Sequence, residues 1–376
     1  MLTNLLLLMN KRIINTADRI FTGTNWLQDH AVIEEDNRIV DIVPASALLL
    51  NQQTYQVVKH NTLVPAFVDI QIYGAYGKLF SAYPEAQSLT RLYDYCCKGG
   101  ALHFMPTIAT NTTEVMYSCI DAVKEYWKQG GKGCLGLHLE GPWINPLKKG
   151  AHVESLIHSS SVHEVKAVLD YGKDVIRMIT LAPEVCSDEV IELIQSRHII
   201  ISAGHSNATF HQAVESFNKG IHTITHLYNA MSPLNHREPG LVGAAFLNTS
   251  ARASIIPDGY HVDFAAVKIA RQIMKERLFV ITDAVTETVK GPYTHCLDDN
   301  RYVSNGTLSG SALTMMKAVK NLVLYCAVEL EEALRMCSLY PAQVLGINNL
   351  GLLKKGYTSS FIELDVELIE YRDKRR

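Results

Sequence analysis

Eight short apolar runs, each closing on polar side chains, constrain the fold of this chain more than any other feature. They are "LVPAFVDIQIY" (63–73), "ALHFMPTIAT" (101–110), "CLGLHLEG" (134–141), "VIRMITLAPE" (175–184), "HIIISAGHS" (198–206), "TITHLYNAM" (223–231), "RASIIPDGYH" (252–261) and "LFVITDAV" (278–285). Nearly continuous apolarity over so few residues is the pattern of parallel strands buried on both faces. Helical patterns separate most of them, from "SLTRLYDYCCKGG" after the first to "FAAVKIARQIMKE" before the eighth, and "SALTMMKAVKNLVLYCA" follows the last. In "NATFHQAVESFNKG", Asn207 has the residue type of an N-cap and Gly220 that of a C′ stop. Eight β/α units predict an α/β protein built on a (β/α)8, TIM-like barrel, whose site is assembled at the C-terminal ends of the strands. A doubly wound open sheet is the rival, but no G-x-G-x-x-G follows the first strand.

The chain ends do not fit the repeat. "AVIEEDNRIVDIVPA" (31–45) predicts two short strands around a turn at Asp36 and Asn37, "TYQVVKHN" (54–61) a third, and "GLLKKGYTSSFIELDV" (351–366) another. Between the barrel and that last segment, Pro341 in "SLYPAQVLGI" suits the first turn of a helix. Two β-rich ends flanking a barrel predict a small β-sandwich domain from residues 1–60 plus 345–376, with the barrel over 61–344. The apolar run in "MLTNLLLLMNKR" is too short for a signal-peptide core, and translation from Met9 would account for residues 1–8. No run reaches the ~20 apolar residues needed to cross a bilayer. The basic end "YRDKRR" reads as a solvated tail.

A formal net charge of −3 gives no general attraction to nucleic acid or to an anionic membrane, so the expected partner is a small molecule. The 8 cysteines are irregularly spaced, without a C-x-x-C pair. That is neither a disulfide framework nor a zinc ribbon, and it predicts reduced thiols in a cytoplasmic protein.

The polar residues at the strand ends carry the chemistry. Glu140, His205 and His226 are two imidazoles and a carboxylate converging from three strands, a three-ligand site for a divalent metal with room for a water. Taken singly, each has an ordinary reading: an acid capping a Gly-Pro turn, a histidine at a helix start, a packed core histidine. Their coincidence at three strand ends is what favours the metal. Asp283, ending the eighth run, suits a general base that takes a proton from water and later hands it to a leaving group; its ordinary reading is an ion-paired barrel carboxylate. In the glycine- and proline-punctuated segment 229–246, Asn229, the backbone N–H of Ala230 and Arg237 could hold an anion such as phosphate. His152 and His261 are polar loop residues open to either a structural or a substrate-binding role. His138, on the same strand face as Glu140, is expected to be packed behind the site, and nine other histidines, His295 among them, are assigned to surface or core.

With these residues in hand, the chain resembles the amidohydrolase superfamily, and within it the enzymes that deacetylate amino-sugar phosphates. "HLEGPWINPLKKGAH", "SAGHSNAT", "THLYNAMSPLNHREPGLVGAAF", "DGYHVD", "ITDAV" and "GTLSGSALTM" occur in that family's order over nearly the whole chain. The resemblance implies a metal-dependent barrel with a terminal β-sandwich, usually a homodimer, with one divalent ion per chain, zinc or iron. It implies hydrolysis of N-acetylglucosamine 6-phosphate to glucosamine 6-phosphate and acetate. The alternatives are the galacto epimer, a cyclic amide, or an inactive sugar-phosphate sensor. Position by position, Glu140, His205 and His226 match the family's metal ligands and Asp283 its acid/base. His152, with Ala151 before it, matches the pair that meets the sugar and its acetamide. Asn229, Ala230 and Arg237 match phosphate and sugar contacts. His261, in "DGYH" from Asp258, matches a substrate contact offered across the dimer interface, and Leu308 and Ser309 match the wall around the acetyl group. Many amidohydrolases carry H-x-H at the end of the first strand, where two imidazoles hold one metal of a pair. Here Gln71 and Tyr73 stand in those positions and are poor divalent-metal ligands. A single occupied metal site is therefore expected, with Gln71 hydrogen-bonding water or substrate beside it.

Overall fold

Asp36 and Asn37 both adopt left-handed backbone angles, φ 49° and 61°, as a tight two-residue hairpin turn requires. They join β2 (Trp26–Glu35) to β3 (Arg38–Pro44), while β1 (Ile13–Phe21) runs antiparallel to β2 and parallel to β4 (Gln56–Pro65). The structure, a computed structural model, describes residues 12–48, 56–304 and 306–365. The alternative start at Met9 and the basic tail 371–376 lie outside the described residues. The chain divides into two compact units, Met1–Phe67 with Glu329–Arg376, and Val68–Val328.

The first apolar run is expected as one strand but is shared between two. Leu63–Pro65 closes β4, and β5 (Phe67–Ile72), buried at every residue, begins after Ala66. Pro65 has no N–H to give to a continuing ladder, and the changeover falls there. A two-residue ladder, β6 (Gly74–Ala75) with β7 (Lys78–Leu79), follows. Helix and strand then alternate: α1 (Ala86–Lys98), β8 (Ala101–Ala109), α2 (Thr113–Lys128), β9 (Leu137–Glu140), α3 (Val162–Tyr171), β10 (Ile176–Leu181), α4 (Asp188–Ser196) and β11 (Ile200–Ala203). The series continues through α5 (Phe210–Asn218), β12 (Thr223–Ile224), α6 (Gly240–Leu247), β13 (Arg252–Ile255), α7 (Phe264–Met274) and β14 (Leu278–Val280).

The eight strands form one sheet in the order β5-β8-β9-β10-β11-β12-β13-β14, joined by parallel ladders. The first and eighth strands meet just past their ends: Tyr73 N–H donates to Ala284 O at 2.9 Å, and Asp283 N–H to Gln71 O at 3.0 Å. The expected (β/α)8 barrel is therefore present. One layer below the strand ends its interior is polar, with His138 held between Ile70 O and Thr180 Oγ1, and Thr180 linked through Thr225 to Ser202.

Two features differ from the sequence reading inside the barrel. Helix α5 is capped by Thr209 rather than Asn207: Thr209 Oγ1 accepts the Gln212 N–H, and the Gln212 side chain returns to the Thr209 N–H. The Asn207 N–H is committed elsewhere, to Glu184. Gly220 does follow the C-cap, at φ 91°. Helix α6, unanticipated, is apolar on nearly every face and buried over Gly240–Ala245, so it has no amphipathic period to read.

After β14 an unanticipated antiparallel sheet intervenes, β15 (Cys296–Asp298), β16 (Arg301–Ser304) and β17 (Thr307–Ser311), before α8 (Met315–Cys326). The chain closes with α9 (Leu330–Cys337), α10 (Leu339–Val344), which has Pro341 in its first turn, and β18 (Phe361–Glu363). β18 pairs with the end of β4, giving the order β18-β4-β1-β2-β3. The β-rich unit expected from the two chain ends is thus one five-stranded sheet among the described residues, not two facing sheets. Ala17, Ile20, Val32, Ile39, Leu63 and Leu353 form its core. No helix among the described residues is long and apolar enough to cross a membrane.

Candidate active site

Glu140 is the last residue of β9, while His205 and His226 each stand two residues past β11 and β12, and Asp283 three past β14. His205, His226, Tyr228, Ala230 and Asp283 all have positive φ, from 34° to 80°. That region costs a non-glycine residue roughly 1–2 kcal/mol, so five such residues here mean that the surroundings, and not local preference, hold these turns.

Glu140 Oε1 lies 3.1 Å from His226 Nε2 and 3.4 Å from His205 Nε2, and the two ring nitrogens are 3.2 Å apart. Ligands about 2.1 Å from a common tetrahedral centre sit about 3.4 Å from one another. The spacing therefore fits one cation of ordinary ligand distance. All three residues are buried, and they are the one such cluster of three or more among the described residues. His205 Nδ1 donates to Lys148 O at 2.8 Å, which leaves the lone pair of Nε2 facing the cluster. His226 Nδ1 is buried without a hydrogen-bond partner among the described residues.

Charge supports the same reading. Burial works to raise the Glu140 carboxyl, but the His205 charge and hydrogen bonds from His152, His205 and His226 outweigh it and hold the group well below the usual carboxylate range. Burial works to lower His226, yet the hydrogen bond and charge of Glu140, with the charge of Asp283, raise it. The site draws positive charge to its centre.

The other oxygen, Glu140 Oε2, receives the Tyr73 hydroxyl and His152 Nε2, the latter at 3.2 Å. His152 Nδ1 accepts the Thr110 N–H at 3.3 Å, so the ring proton sits on Nε2. Burial, then the charge of His205, lowers His152 to about 4. It is a neutral donor.

Asp283 is fixed by its backbone between β5 and β17: its N–H reaches Gln71 O, and its carbonyl accepts the Ser311 N–H, both at 3.0 Å. Burial raises its carboxyl, opposed by the charge of His226 and assisted by that of Glu140. Gln71 Nε2 lies 3.0 Å from Glu140 Oε1, 2.8 Å from Asp283 Oδ1 and 2.8 Å from the Tyr73 oxygen.

A cavity opens to solvent over the cluster, with ≈ 790 Å³ of empty space counting the solvent at its mouth. Of the residues singled out in the sequence, Glu140, His205, His226, Asp283, Ala151 and His152 line it. So do Asn229, Ala230, His261, Leu308 and Ser309. Gln71, Asp258 and Arg237 are not on its wall. Gln71 stands behind the two carboxylates it bonds. Asp258 holds His261 through a 2.6 Å contact to Nδ1 and accepts the N–H groups of Tyr260 and His261. Arg237 is exposed in the stretch 233–238.

Ten wall residues received no site role from the sequence, and three of them carry polar rings: Tyr73, Tyr293 and His295. Tyr293 donates to Thr110 O at 2.6 Å, His295 Nδ1 meets Ser309 Oγ at 2.9 Å, and the two rings stack with centroids 6.2 Å apart. His295 belongs to the cavity rather than to surface or packed core. The i,i+2 spacing in "PYTH", which turns both rings to one side of an extended segment, was the available signal.

Comparison with known proteins extends over the same residues. The Amidohydrolase family model matches residues 62–373, and the NagA composite domain model matches residues 16–58. The N-acetylglucosamine-6-phosphate deacetylase of Haemophilus influenzae is 34% identical over 360 residues, covering 93% of each chain. The N-acetylgalactosamine-6-phosphate deacetylase of Escherichia coli O157:H7 is 31% identical, covering 93% of this chain and 94% of its own. The crystal structure of N-acetylglucosamine-6-phosphate deacetylase from Pasteurella multocida matches with a TM-score of 0.88 at 33% identity, covering 93% of this chain and 94% of that one.

Proposed function

The chain belongs to the amidohydrolase family, and from that premise we propose that it hydrolyses the acetamide of N-acetylglucosamine 6-phosphate to acetate and glucosamine 6-phosphate. The observation that carries this reading is the buried Glu140–His205–His226 cluster sharing one cavity with Asp283. Glu140 Oε1, His205 Nε2 and His226 Nε2 would hold one divalent cation per chain, zinc or iron. When bound, it supplies Lewis acidity to the carbonyl and makes a neighbouring water more acidic.

The chain's own groups move the protons. Asp283 takes a proton as water oxygen bonds to the acetyl carbon. The His152 Nε2–H suits the carbonyl oxygen, which gains charge as the carbon becomes tetrahedral. As the C–N bond breaks, Asp283 returns its proton to the nitrogen, which leaves as an amine because an amine anion is too basic to depart. Asn229, the Ala230 N–H, Arg237 and His261 would bind sugar and phosphate, and Ala151, Leu308 and Ser309 would border the sugar and its acetyl group. Binding energy from the remote phosphate then keeps the acetamide in line with the attacking water. Gln71, bonded to both carboxylates, holds base and ligand in register.

The galacto epimer is the second reading, favoured by a relative of that activity at 31% identity beside one of the gluco activity at 34%. Side-by-side turnover of the two N-acetylhexosamine 6-phosphates, with a cyclic amide as third substrate, separates these readings. A catalytically inactive sensor would release no acetate from any of them. The proposal extends to a cytoplasmic homodimer, which sedimentation and cell fractionation test.

A further inference from the structure

The end of β5 carries a phenol that the hydrolysis above leaves without a task. Tyr73 is 7% exposed and packs against Leu79, Ala82, Val285 and Tyr293, so its ring is fixed in the cavity wall. Its hydroxyl has two partners, Glu140 Oε2 and Gln71 Nε2, the latter at 2.8 Å. The direction of both bonds is settled by chemistry: an amide nitrogen only donates and an ionised carboxylate only accepts. The phenol hydrogen therefore goes to Glu140, while the two Gln71 N–H hydrogens are shared among Glu140 Oε1, Asp283 Oδ1 and the phenol oxygen.

The consequence falls on Glu140, whose two oxygens face different company. Oε2 receives the Tyr73 hydroxyl and His152 Nε2, while Oε1 faces the imidazoles of His205 and His226 and has Gln71 Nε2 3.0 Å away. A carboxylate free to turn about its terminal bond could give a cation either one oxygen or both. Two oxygens would use a coordination position that the reacting groups need, since catalytic sites of this kind keep one open. His152 Nε2–H turns to the substrate carbonyl in the reaction proposed above, so the Tyr73 hydroxyl is the donor that keeps Oε2 occupied, and one oxygen is left. We propose that Tyr73 is a positioning residue that makes Glu140 a one-oxygen ligand and so keeps a coordination position open. The inference rests on the cation assignment made above.

Tyr73→Phe tests it, because the ring and its packing stay while one oxygen goes. Four readouts apply: affinity for zinc by competition with a coloured chelator, the visible spectrum of the cobalt(II)-loaded protein, kcat against KM, and the unfolding midpoint of the cation-free protein. Loss of a group that orients a ligand weakens metal affinity by about 10–100-fold, and that loss is expected here. The cobalt(II) band should also weaken as the second carboxylate oxygen adds to the coordination number, and kcat should fall more than KM changes. The midpoint without cation should stay near that of the wild type. Wild-type affinity together with an unchanged cobalt(II) spectrum would overturn the proposal. So would an affinity loss accounted for by a lower cation-free midpoint, since packing alone would then explain it. A wild-type protein that takes up no divalent cation removes the proposed function itself, a result separable from an indistinguishable Tyr73→Phe.

Discussion

Asp69→Asn probes the charge buried beneath the site. Asp69 is 1% exposed; its Oδ1 accepts the N–H groups of Gln71 and Thr282, both at 3.3 Å, and its Oδ2 faces the Thr282 hydroxyl. Burial is the largest influence on it. Despite the opposing hydrogen bonds, and with a small push from the charge of Asp283, its pKa rises from 3.8 to about 7. A carboxyl with a raised folded-state pKa binds its proton more tightly when folded. Its contribution to stability is therefore complete below about pH 4 and is lost as pH climbs to about 7. A gap of roughly three pH units, at about 1.4 kcal/mol each, makes that loss ~4 kcal/mol. Asparagine reproduces the protonated acid: Oδ1 still accepts both N–H groups, and Nδ2 can donate to Thr282 Oγ1, with no charge at any pH. The assay is urea unfolding of both proteins from pH 4 to pH 8 at one fixed cation concentration. The stability of the variant relative to wild type should grow by ~4 kcal/mol between about pH 4 and 7 and then level off. Turnover should persist, because Asp69 does not border the cavity. A difference that stays constant across the range would refute the reasoning.

Asp283→Asn should lower kcat by about 10²–10⁴-fold with cation content unchanged by elemental analysis; a rate near wild type would remove Asp283 as the base. Arg237→Ala should raise KM for the phosphorylated substrate and spare turnover of unphosphorylated N-acetylglucosamine, and equal effects on both would detach Arg237 from the phosphate. Gly141→Ala adds a Cβ only 2.2 Å from Thr110 Oγ1, at a backbone φ of +79°. Since Thr110 holds His152, the variant should lose activity along with about 1–3 kcal/mol of stability; full activity would mean that Thr110 does not set the His152 ring.

The barrel was legible because parallel strands covered on both faces read as unbroken apolar runs, and the runs stop where the chain becomes chemical. The Glu140, His205 and His226 cluster stood out for the same reason, since each residue ends a run or follows one by a few positions. Where one chain signal had two solutions, tertiary contacts chose between them. Asn207 and Thr209 both suit a cap, and Glu184 captures the N–H of the first while Gln212 completes the box with the second. The run through Leu63 and Phe67 reads alike whether one strand or two, and the pairing of Leu63 with β1 and of Leu63–Pro65 with β18 divides it. Helix α6 hid because burial on all sides erases periodicity. Tyr73 and His295 stayed without site roles because what gives them meaning, Glu140 Oε2 for one and Ser309 Oγ for the other, comes from distant strands.

The most direct measurement is acetate release from N-acetylglucosamine 6-phosphate by the purified protein, followed before chelation, after chelation, and after a divalent cation is returned. Acetate and free amine should appear in equal amounts, stop when the cation is stripped, and resume when it is restored. Cation-loaded protein that leaves the acetamide intact, or turnover indifferent to the chelator with no cation remaining, would contradict the account.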